Sequence, residues 1–262
     1  MFTTPSNANK NATAELPGFF LVENVAGFHD VPNPAMTVPI VETLHFVTIL
    51  GPADPRPEDI DEALRLAPIL VAADGAARQA LEFGRIPDAV IGDLDSIPDT
   101  VSRSLPAARL HRIDEQDTTD FEKCLVRIRA PLCLAVGFTG RRLDHELAVY
   151  STLVRHADRP CLVVGAEDVA FAAPPALALD LAPGDRVSLF PLAPVRGRSS
   201  GLRWPIDAVL FDPVGRIGTS NEATGAVKMS FDRPGMLVIL PRSALPQAIV
   251  ALAPATGDVR GR

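Results

Sequence analysis

The chain has few cysteines, few aromatic residues and little excess basic charge. Its 262 residues include three cysteines, Cys124, Cys133 and Cys161, whose spacing is not that of a metal-binding motif. Cys133 and Cys161 stand in apolar runs typical of buried strands, so we interpret the cysteines as reduced core residues of a cytoplasmic protein. The formal net charge of −7 leaves no basic stripe for a phosphate backbone, which argues against a nucleic-acid partner.

Long apolar runs are missing as well. A membrane-spanning helix needs about eighteen consecutive apolar residues, and the sequence contains no such stretch. Residues 18–22 are too short, and too acidic in their flanks, for a secretory signal. The sequence therefore predicts a soluble cytoplasmic protein without a membrane partner. Because 47% of its residues are hydrophobic, we expect a substantial core.

The N-terminal segment differs from the rest of the chain. Residues 1–43 are rich in Asn, Thr and Ala, then punctuated by Pro, and they show little periodicity. This composition is typical of a loosely ordered arm. Met36 lies shortly before the first clear strand pattern and is an alternative start, a question that the sequence leaves open.

Apolar runs alternate with helical patterns in residues 44–173. Strands are predicted at 45–50, 69–73, 89–91, 109–113, 132–136 and 161–164. Helices are predicted at 57–66, 76–83, shortly after residue 98, at 120–128 and at 143–156. This alternation predicts an α/β domain with a doubly wound, mostly parallel sheet.

The pattern changes in residues 174–262. Turn signals at 183–185, 212–215, 221–225 and 233–235 separate runs with a period of two, and no helix-length pattern interrupts them. We therefore predict a second domain here, a small all-β sandwich.

Four acidic segments in the first half of the chain each follow an apolar run. They are residues 73–75, 92–96, 116–120 and 142–145. If the runs are parallel strands, the segments meet at the carboxyl edge of one sheet, where open α/β folds bind their ligands. Like charges gathered there would repel, so we predict a divalent cation with oxygen ligands and, behind it, a polyphosphate.

In order and spacing, these segments resemble the catalytic domain of the thiamine pyrophosphokinase (thiamine diphosphokinase) family. The resemblance covers roughly residues 46–241, and segments 200–206 and 219–222 look like the thiamine-binding segments of that family. It implies an enzyme that transfers the pyrophosphoryl group of ATP to the hydroxyl of thiamine, giving thiamine diphosphate and AMP. It also implies a dependence on Mg²⁺.

The resemblance assigns roles to individual residues. The catalytic, metal-binding acids are expected to be Asp74, Asp93, Asp95 and Asp117. The residues expected to bind ATP are Thr118, Thr119, Asp120, Arg142, Asp144 and His145. Those expected to bind thiamine are Trp204, Ser220 and Asn221. Asp93 and Asp95 form the best metal pair, because an i, i+2 spacing after a strand can aim two carboxylates into one cleft.

Each assignment has a structural alternative. A single Asp after a strand is commonly a turn or helix-cap residue, and Thr119 or Asp120 could simply cap the following helix. Arg142 suits bidentate phosphate binding but could be a solvated surface residue. Trp204, the sole tryptophan, could stack on the thiamine rings or pack in the core. His145 is not assigned as a general base, since an aligned alcohol needs none.

Three positions depart from the family pattern. Ala76 and Arg141 stand where paired glycines are common, and Arg78 stands where an Asn or Asp is common. Arg141 adds a cation beside the expected phosphate path. Because the expected metal ligands are all present, we still expect activity.

The acids and Trp204 fall in different predicted domains, so one substrate must bridge them. The resemblance implies that thiamine does so at the two-fold interface of a homodimer. Two alternatives stay open. One is a related Mg²⁺-dependent pyrophosphokinase acting on another heterocyclic alcohol, such as a pterin carbinol. The other is a non-catalytic nucleotide or thiamine sensor.

Overall fold

The computed structural model describes residues 37–218 and 220–253. Most of the predicted arm, residues 1–36, lies outside this range, as does Thr219. The described residues form one compact unit. None of the helices in the described ranges is long and apolar enough to cross a membrane.

Six parallel strands form one half of a large sheet. They are β2 (Val47–Leu50), β3 (Ile69–Ala73), β4 (Ala89–Gly92), β5 (Leu110–Arg112), β7 (Cys133–Val136) and β8 (Cys161–Val164). Their order is β5-β4-β3-β2-β7-β8, and every neighbouring pair is parallel. The strand order reverses between β2 and β7. Such a reversal opens a crevice at the carboxyl ends of the strands, where open α/β sheets bind ligands.

Helices cover both faces of this parallel half. They are α1 (Pro57–Leu66), α2 (Ala77–Glu82), α3 (Asp99–Ser104), α4 (Asp120–Val126) and α5 (Leu143–Arg155). Helices α1, α2 and α3 pack into one core cluster, and α4 and α5 pack into another. The sheet separates the two clusters, because successive residues such as Ile49 and Leu50 of β2 point to opposite faces.

Antiparallel strands continue the same sheet beyond β8. They are β9 (Asp168–Ala172), β10 (Ala176–Leu179), β11 (Arg186–Pro191), β12 (Val195–Leu202), β13 (Leu210–Phe211), β14 (Ser220–Phe231) and β15 (Met236–Pro241). The order continues as β8-β9-β15-β11-β14-β12-β13, with β10 paired to β14. A mixed α/β fold with one large sheet is therefore present. The sheet runs through the predicted boundary at residue 173, because β9 pairs with both β8 and β15.

Two local predictions in this second half were wrong. The predicted turn at 221–225 lies inside β14, whose residues Ser220–Glu222 pair with β11, while residues 227–230 pair with β10 and residues 228–231 pair with β12. Gly225, with a φ of 142°, lies where the strand changes partners, and an isolated Gly often marks such an irregular strand position. Residues 174–262, predicted to be all-β, also contain a helix, α6 (Leu245–Leu252). This helix has no clear polar face, so its sequence lacks the helical period.

The end of the predicted arm belongs to the ordered chain. Strand β1 (Val41–Glu42) pairs in parallel with β6 (Ile128–Arg129), and the Ile40 amide donates to the Arg127 carbonyl at 2.8 Å. Helix α4 ends at Val126, short of the predicted end at 128, because the following residues turn to form β6.

Candidate functional site

Three acidic side chains meet at the carboxyl ends of β3 and β4. Asp74 follows β3, and Asp93 and Asp95 follow β4. Each has a carboxylate oxygen within 4.8 Å of oxygens of the other two. They come together because β3 and β4 are parallel neighbours and end at the same edge of the sheet. Carboxylate oxygens at this spacing form a donor set that suits Mg²⁺.

Asp74 is the buried member of this group. Its Oδ1 accepts a hydrogen bond from the Gly75 amide at 2.5 Å, and its Oδ2 accepts one from the Leu94 amide at 3.0 Å. Burial raises the pKa of Asp74 to about 6, and the nearby negative charge of Asp120 adds to the effect. Asp74 is therefore held rigidly and is costly to ionise without a cation.

Asp93 has the opposite environment. Its Oδ2 accepts from Gln116 Nε2 at 3.1 Å, and its Oδ1 accepts from the Asp95 amide at 3.2 Å. These hydrogen bonds, led by that from Gln116, hold the pKa of Asp93 well below its usual range. Asp95 is exposed and accepts from the Ser96 hydroxyl at 3.1 Å. Asp93 and Asp95 therefore offer oxygens to the cleft, as their spacing predicts.

The segment at the start of α4 carries two acids, Asp117 and Asp120, for which the sequence predicts different roles. Among the described residues, the group of three carboxylates does not include Asp117, which is exposed. The charge of Asp120 does reach the group, because it raises the pKa of Asp74. Burial raises the pKa of Asp120 itself, and the charges of Asp93 and Asp95 act in the same direction. The structure thus brings Asp120 to the metal-binding edge, whereas Asp117 as a ligand stays a prediction.

Glu115 organises this segment, and the sequence analysis did not identify it. Its Oε2 accepts from the amides of Asp117 and Thr118, each at 3.0 Å, and its Oε1 accepts from the Thr118 hydroxyl. Thr119 then caps α4, since its Oγ1 accepts from the Glu122 amide at 3.3 Å. The sequence did contain a signal for this loop, because Glu115 stands shortly before the Thr119 helix cap and such side chains often bind nearby backbone amides.

A cleft of about 520 Å³ opens beside the carboxylates. The predicted site residues that line it are Asp93, Thr118, Thr119, Asp120, Arg142 and His145. Gln116, Lys123 and Arg141 line it as well. Asp144 does not line the cleft, and its carboxylate instead binds the Arg142 guanidinium at 2.7 and 3.2 Å. The cleft therefore collects residues from three of the four acidic segments.

Two tightly packed loops form one wall of this cleft. A Cβ on Gly51 would lie 2.4 Å from the carbonyl oxygen of Gly137, so the loops after β2 and β7 approach at a distance that only glycine allows. Arg141 joins the same two loops, because its Nη1 donates to the Pro52 carbonyl at 3.1 Å and lies 3.4 Å from an Asp54 carboxylate oxygen. The unusual Arg141 thus has partners across the crevice. Arg78 forms an exposed pair with Glu82.

The predicted thiamine-binding residues form a separate group. The Trp204 amide donates to Asn221 Oδ1 at 3.2 Å, and Asn221 Nδ2 donates to the Trp204 carbonyl at 2.7 Å. Trp204 is 55% exposed, and the Arg203 guanidinium lies 5.1 Å from the centre of its ring. Ser220 is exposed and pairs with Ser188 of β11. None of the three lines the cleft beside the carboxylates of the same chain.

The sequence is similar to thiamine pyrophosphokinases in two comparisons with known proteins. Residues 60–164 match the family model described as thiamin pyrophosphokinase, catalytic domain. Thiamine pyrophosphokinase 1 of Arabidopsis thaliana is 29% identical over 154 residues, which are 52% of this chain and 58% of that relative. The matched region thus spans less than two thirds of the length of the curated relative.

Solved structures share the fold. A thiamin pyrophosphokinase from Geobacillus thermodenitrificans is 24% identical, with a TM-score of 0.62, over 75% of this chain and 96% of that chain. A thiamin pyrophosphokinase from Candida albicans is 16% identical, with a TM-score of 0.63, over 78% of this chain and 93% of that chain. At these identities the likeness establishes a common architecture.

Proposed function

Residues 60–164 match the thiamin pyrophosphokinase catalytic-domain model, and from this match we propose that the protein transfers the pyrophosphoryl group of ATP to the hydroxyl of thiamine. The products are thiamine diphosphate and AMP. The observation that carries the proposal is the group of Asp74, Asp93 and Asp95, whose oxygens lie within 4.8 Å of one another at the edge of the cleft. A binding module would not need three carboxylates held against their mutual repulsion.

Mg²⁺ is the cation that we assign to this group. Asp74, Asp93 and Asp95 supply only oxygen ligands, as Mg²⁺ prefers, and Asp120 adds negative charge from the start of α4. The resemblance adds Asp117 to this set. When bound, the cation neutralises phosphate oxygens during transfer.

The nucleotide is assigned to the cleft itself. Thr118, Thr119, Arg142 and His145 all line it. The Arg142 guanidinium binds the Asp144 carboxylate. A phosphate group in the cleft would therefore compete with Asp144 for the N–H donors of Arg142. We propose that Asp144 orients Arg142 in this way. The main task of these residues is to align the polyphosphate with the acceptor hydroxyl.

Thiamine is assigned to the surface around Trp204. Asn221 fixes the backbone of Trp204 from both sides, and Arg203 lies over the ring. Because Trp204 is 55% exposed, we propose that its ring also stacks on the thiamine rings. Because this surface is separate from the cleft of its own chain, we propose a homodimer in which each Trp204 completes the site of the other subunit.

A test of the shared site mixes two impaired variants at a limiting thiamine concentration. Trp204→Ala chains, which bind thiamine weakly, and Asp93→Asn chains, which turn over slowly, should regain part of the activity when mixed, since some heterodimers contain one intact site. Subunit exchange is first demonstrated with differently tagged chains. If exchange occurs and no activity returns, thiamine binds within a single chain.

The reaction itself is tested with purified protein, Mg-ATP and thiamine. We expect thiamine diphosphate and AMP in equal amounts, because AMP distinguishes pyrophosphoryl from phosphoryl transfer. A pterin carbinol offered in place of thiamine tests the related pyrophosphokinase activity. Nucleotide binding without AMP release would favour a sensor. A cytoplasmic location also forms part of the proposal, supported by three buried free cysteines.

A further inference from the structure

Lys123 is a fully buried lysine in a polar region of the molecule. Its side chain is 2% exposed, and it lies in α4 one turn after Asp120. Its Nζ is 4.0 Å from Asp120 Oδ1. Burying an ammonium group is unfavourable unless nearby negative charge compensates for it. We therefore expect nearby carboxylates to stabilise the buried ammonium group of Lys123.

The compensating charge comes from the metal-binding edge. Lys123 lines the same cleft as Asp93 and Asp120. It lowers the pKa of Asp120, in opposition to the charges of Asp93 and Asp95, which raise it. Without a bound metal, the carboxylates of Asp93 and Asp120 repel each other across this cleft, and the ammonium group offsets part of that repulsion. Any added divalent cation must enter the site against this fixed positive charge.

We propose that Lys123 is a positioning residue that makes the site select a metal-bound polyphosphate over a free divalent cation. A bare cation is repelled by the ammonium group, whereas a metal complex of a nucleoside triphosphate carries net negative charge and is attracted by it. The metal then arrives with the nucleotide rather than before it. The nucleotide part of this inference rests on the proposed function, but the effect on a free cation does not.

The test measures binding of Mn²⁺ alone and of Mg-ATP by titration calorimetry. Lys123→Met and Lys123→Gln remove the charge, Lys123→Arg retains it, and Arg78→Met removes an exposed surface charge that is paired with Glu82. We expect both neutral variants to bind Mn²⁺ about tenfold more tightly than the parent protein and Mg-ATP about tenfold more weakly. Lys123→Arg and Arg78→Met should stay within about threefold of the parent for both ligands.

A purely structural role of Lys123 would not change the affinities for Mn²⁺ and for Mg-ATP in opposite directions. A lysine needed only for packing would weaken both kinds of binding together, and that result would overturn the proposal. Unchanged Mn²⁺ affinity in the neutral variants would also overturn it, as would a failure of both neutral variants to fold while Lys123→Arg folds. The Mn²⁺ titration uses neither thiamine nor turnover, so it decides the inference even if thiamine is not the acceptor.

Discussion

Gly92, at the end of β4, lies so close to Asp74, which follows the neighbouring strand β3, that Gly92 has no room for a side chain. A Cβ on Gly92 would lie 2.6 Å from Cγ of Asp74. Two residues later, Leu94 turns with a φ of 65°, and its amide donates to the same Asp74 carboxylate. The glycine at the end of β4 therefore lets the carboxylate that follows β3 reach the loop carrying the other two acids.

Replacing Gly92 with Ala should displace Asp74. We expect a loss of about 1–3 kcal/mol in the free energy of unfolding, because the new methyl group meets a buried carboxylate, and weaker Mn²⁺ binding. Gly75→Ala is the matched control, since its Cβ would lie 3.4 Å from Pro52 Cβ, an ordinary contact. Denaturant unfolding and Mn²⁺ titration measure both effects. A Gly92→Ala protein with parental stability and metal affinity would contradict this packing.

The substitution Asp95→Asn should separate activity from stability. Asp95 is exposed, so we expect the free energy of unfolding to stay within about 0.5 kcal/mol of the parent value. The turnover number should fall about a hundredfold, because the change removes one anionic oxygen donor from the metal group. Asp99→Asn, in an exposed pair of α3, is the control and should leave turnover unchanged. Near-normal turnover of Asp95→Asn at limiting Mg²⁺ would refute the metal assignment.

Trp204→Ala should weaken thiamine binding without affecting the nucleotide. The expected loss is about 0.5–2 kcal/mol, the size of a cation–π contact with the thiazolium ring. Trp204→Phe keeps an aromatic face and should lose less. Calorimetry with thiamine and with Mg-ATP measures the two affinities separately. An equal loss of both affinities would mean that Trp204 acts on the cleft as a whole.

Glu122 should contribute stability that depends on pH. It is buried, its Oε2 accepts from Arg155 Nη2 at 2.6 Å, and its Oε1 lies 2.8 Å from His156 Nε2. Burial acts to raise the pKa of Glu122, but the hydrogen bonds from His156 and Arg155 outweigh it and hold the pKa below its ordinary value of 4.5. The stabilisation is therefore complete above the unfolded-state pKa and disappears as pH falls through the lower folded-state pKa.

Glu122→Gln tests this dependence. We expect a cost of about 3 kcal/mol at pH 7, because a buried charged partner is lost, and a difference from the parent protein that shrinks below about pH 4. Glu82→Gln removes one member of an exposed pair and should cost less than about 1 kcal/mol at every pH. Denaturant unfolding between pH 3 and 8 gives the comparison. A cost that stays constant with pH would assign the effect to packing instead.

Truncation at two points should locate where the ordered chain begins. A chain starting at Met36 retains β1 and should keep its activity and its unfolding free energy within about 0.5 kcal/mol. A chain starting at residue 44 loses the pairing of Val41 with Ile128 and should lose about 1–3 kcal/mol. Thermal unfolding of both chains is the measurement. A large drop for the Met36 chain would show that residues 1–35 pack on the domain.

The order of strands and helices in residues 44–173 was readable from the sequence. Residues Pro57–Leu66 and Cys161–Val164 match their predicted bounds, because each pattern reports the local environment of its own residues. The meeting of Asp74, Asp93 and Asp95 also followed, since parallel strands end at the same edge.

Only the tertiary structure showed that the charge of Asp120, in the 116–120 segment, reaches Asp74. Asp117 and Asp120 differ by three residues, and their directions depend on the bonds of Glu115 and on where α4 begins. The same holds for Gly225, whose place inside β14 depends on strands that are distant in sequence. Local patterns determine local conformation, whereas the direction of a loop side chain and the partners of a long strand depend on contacts between segments that are far apart in the chain.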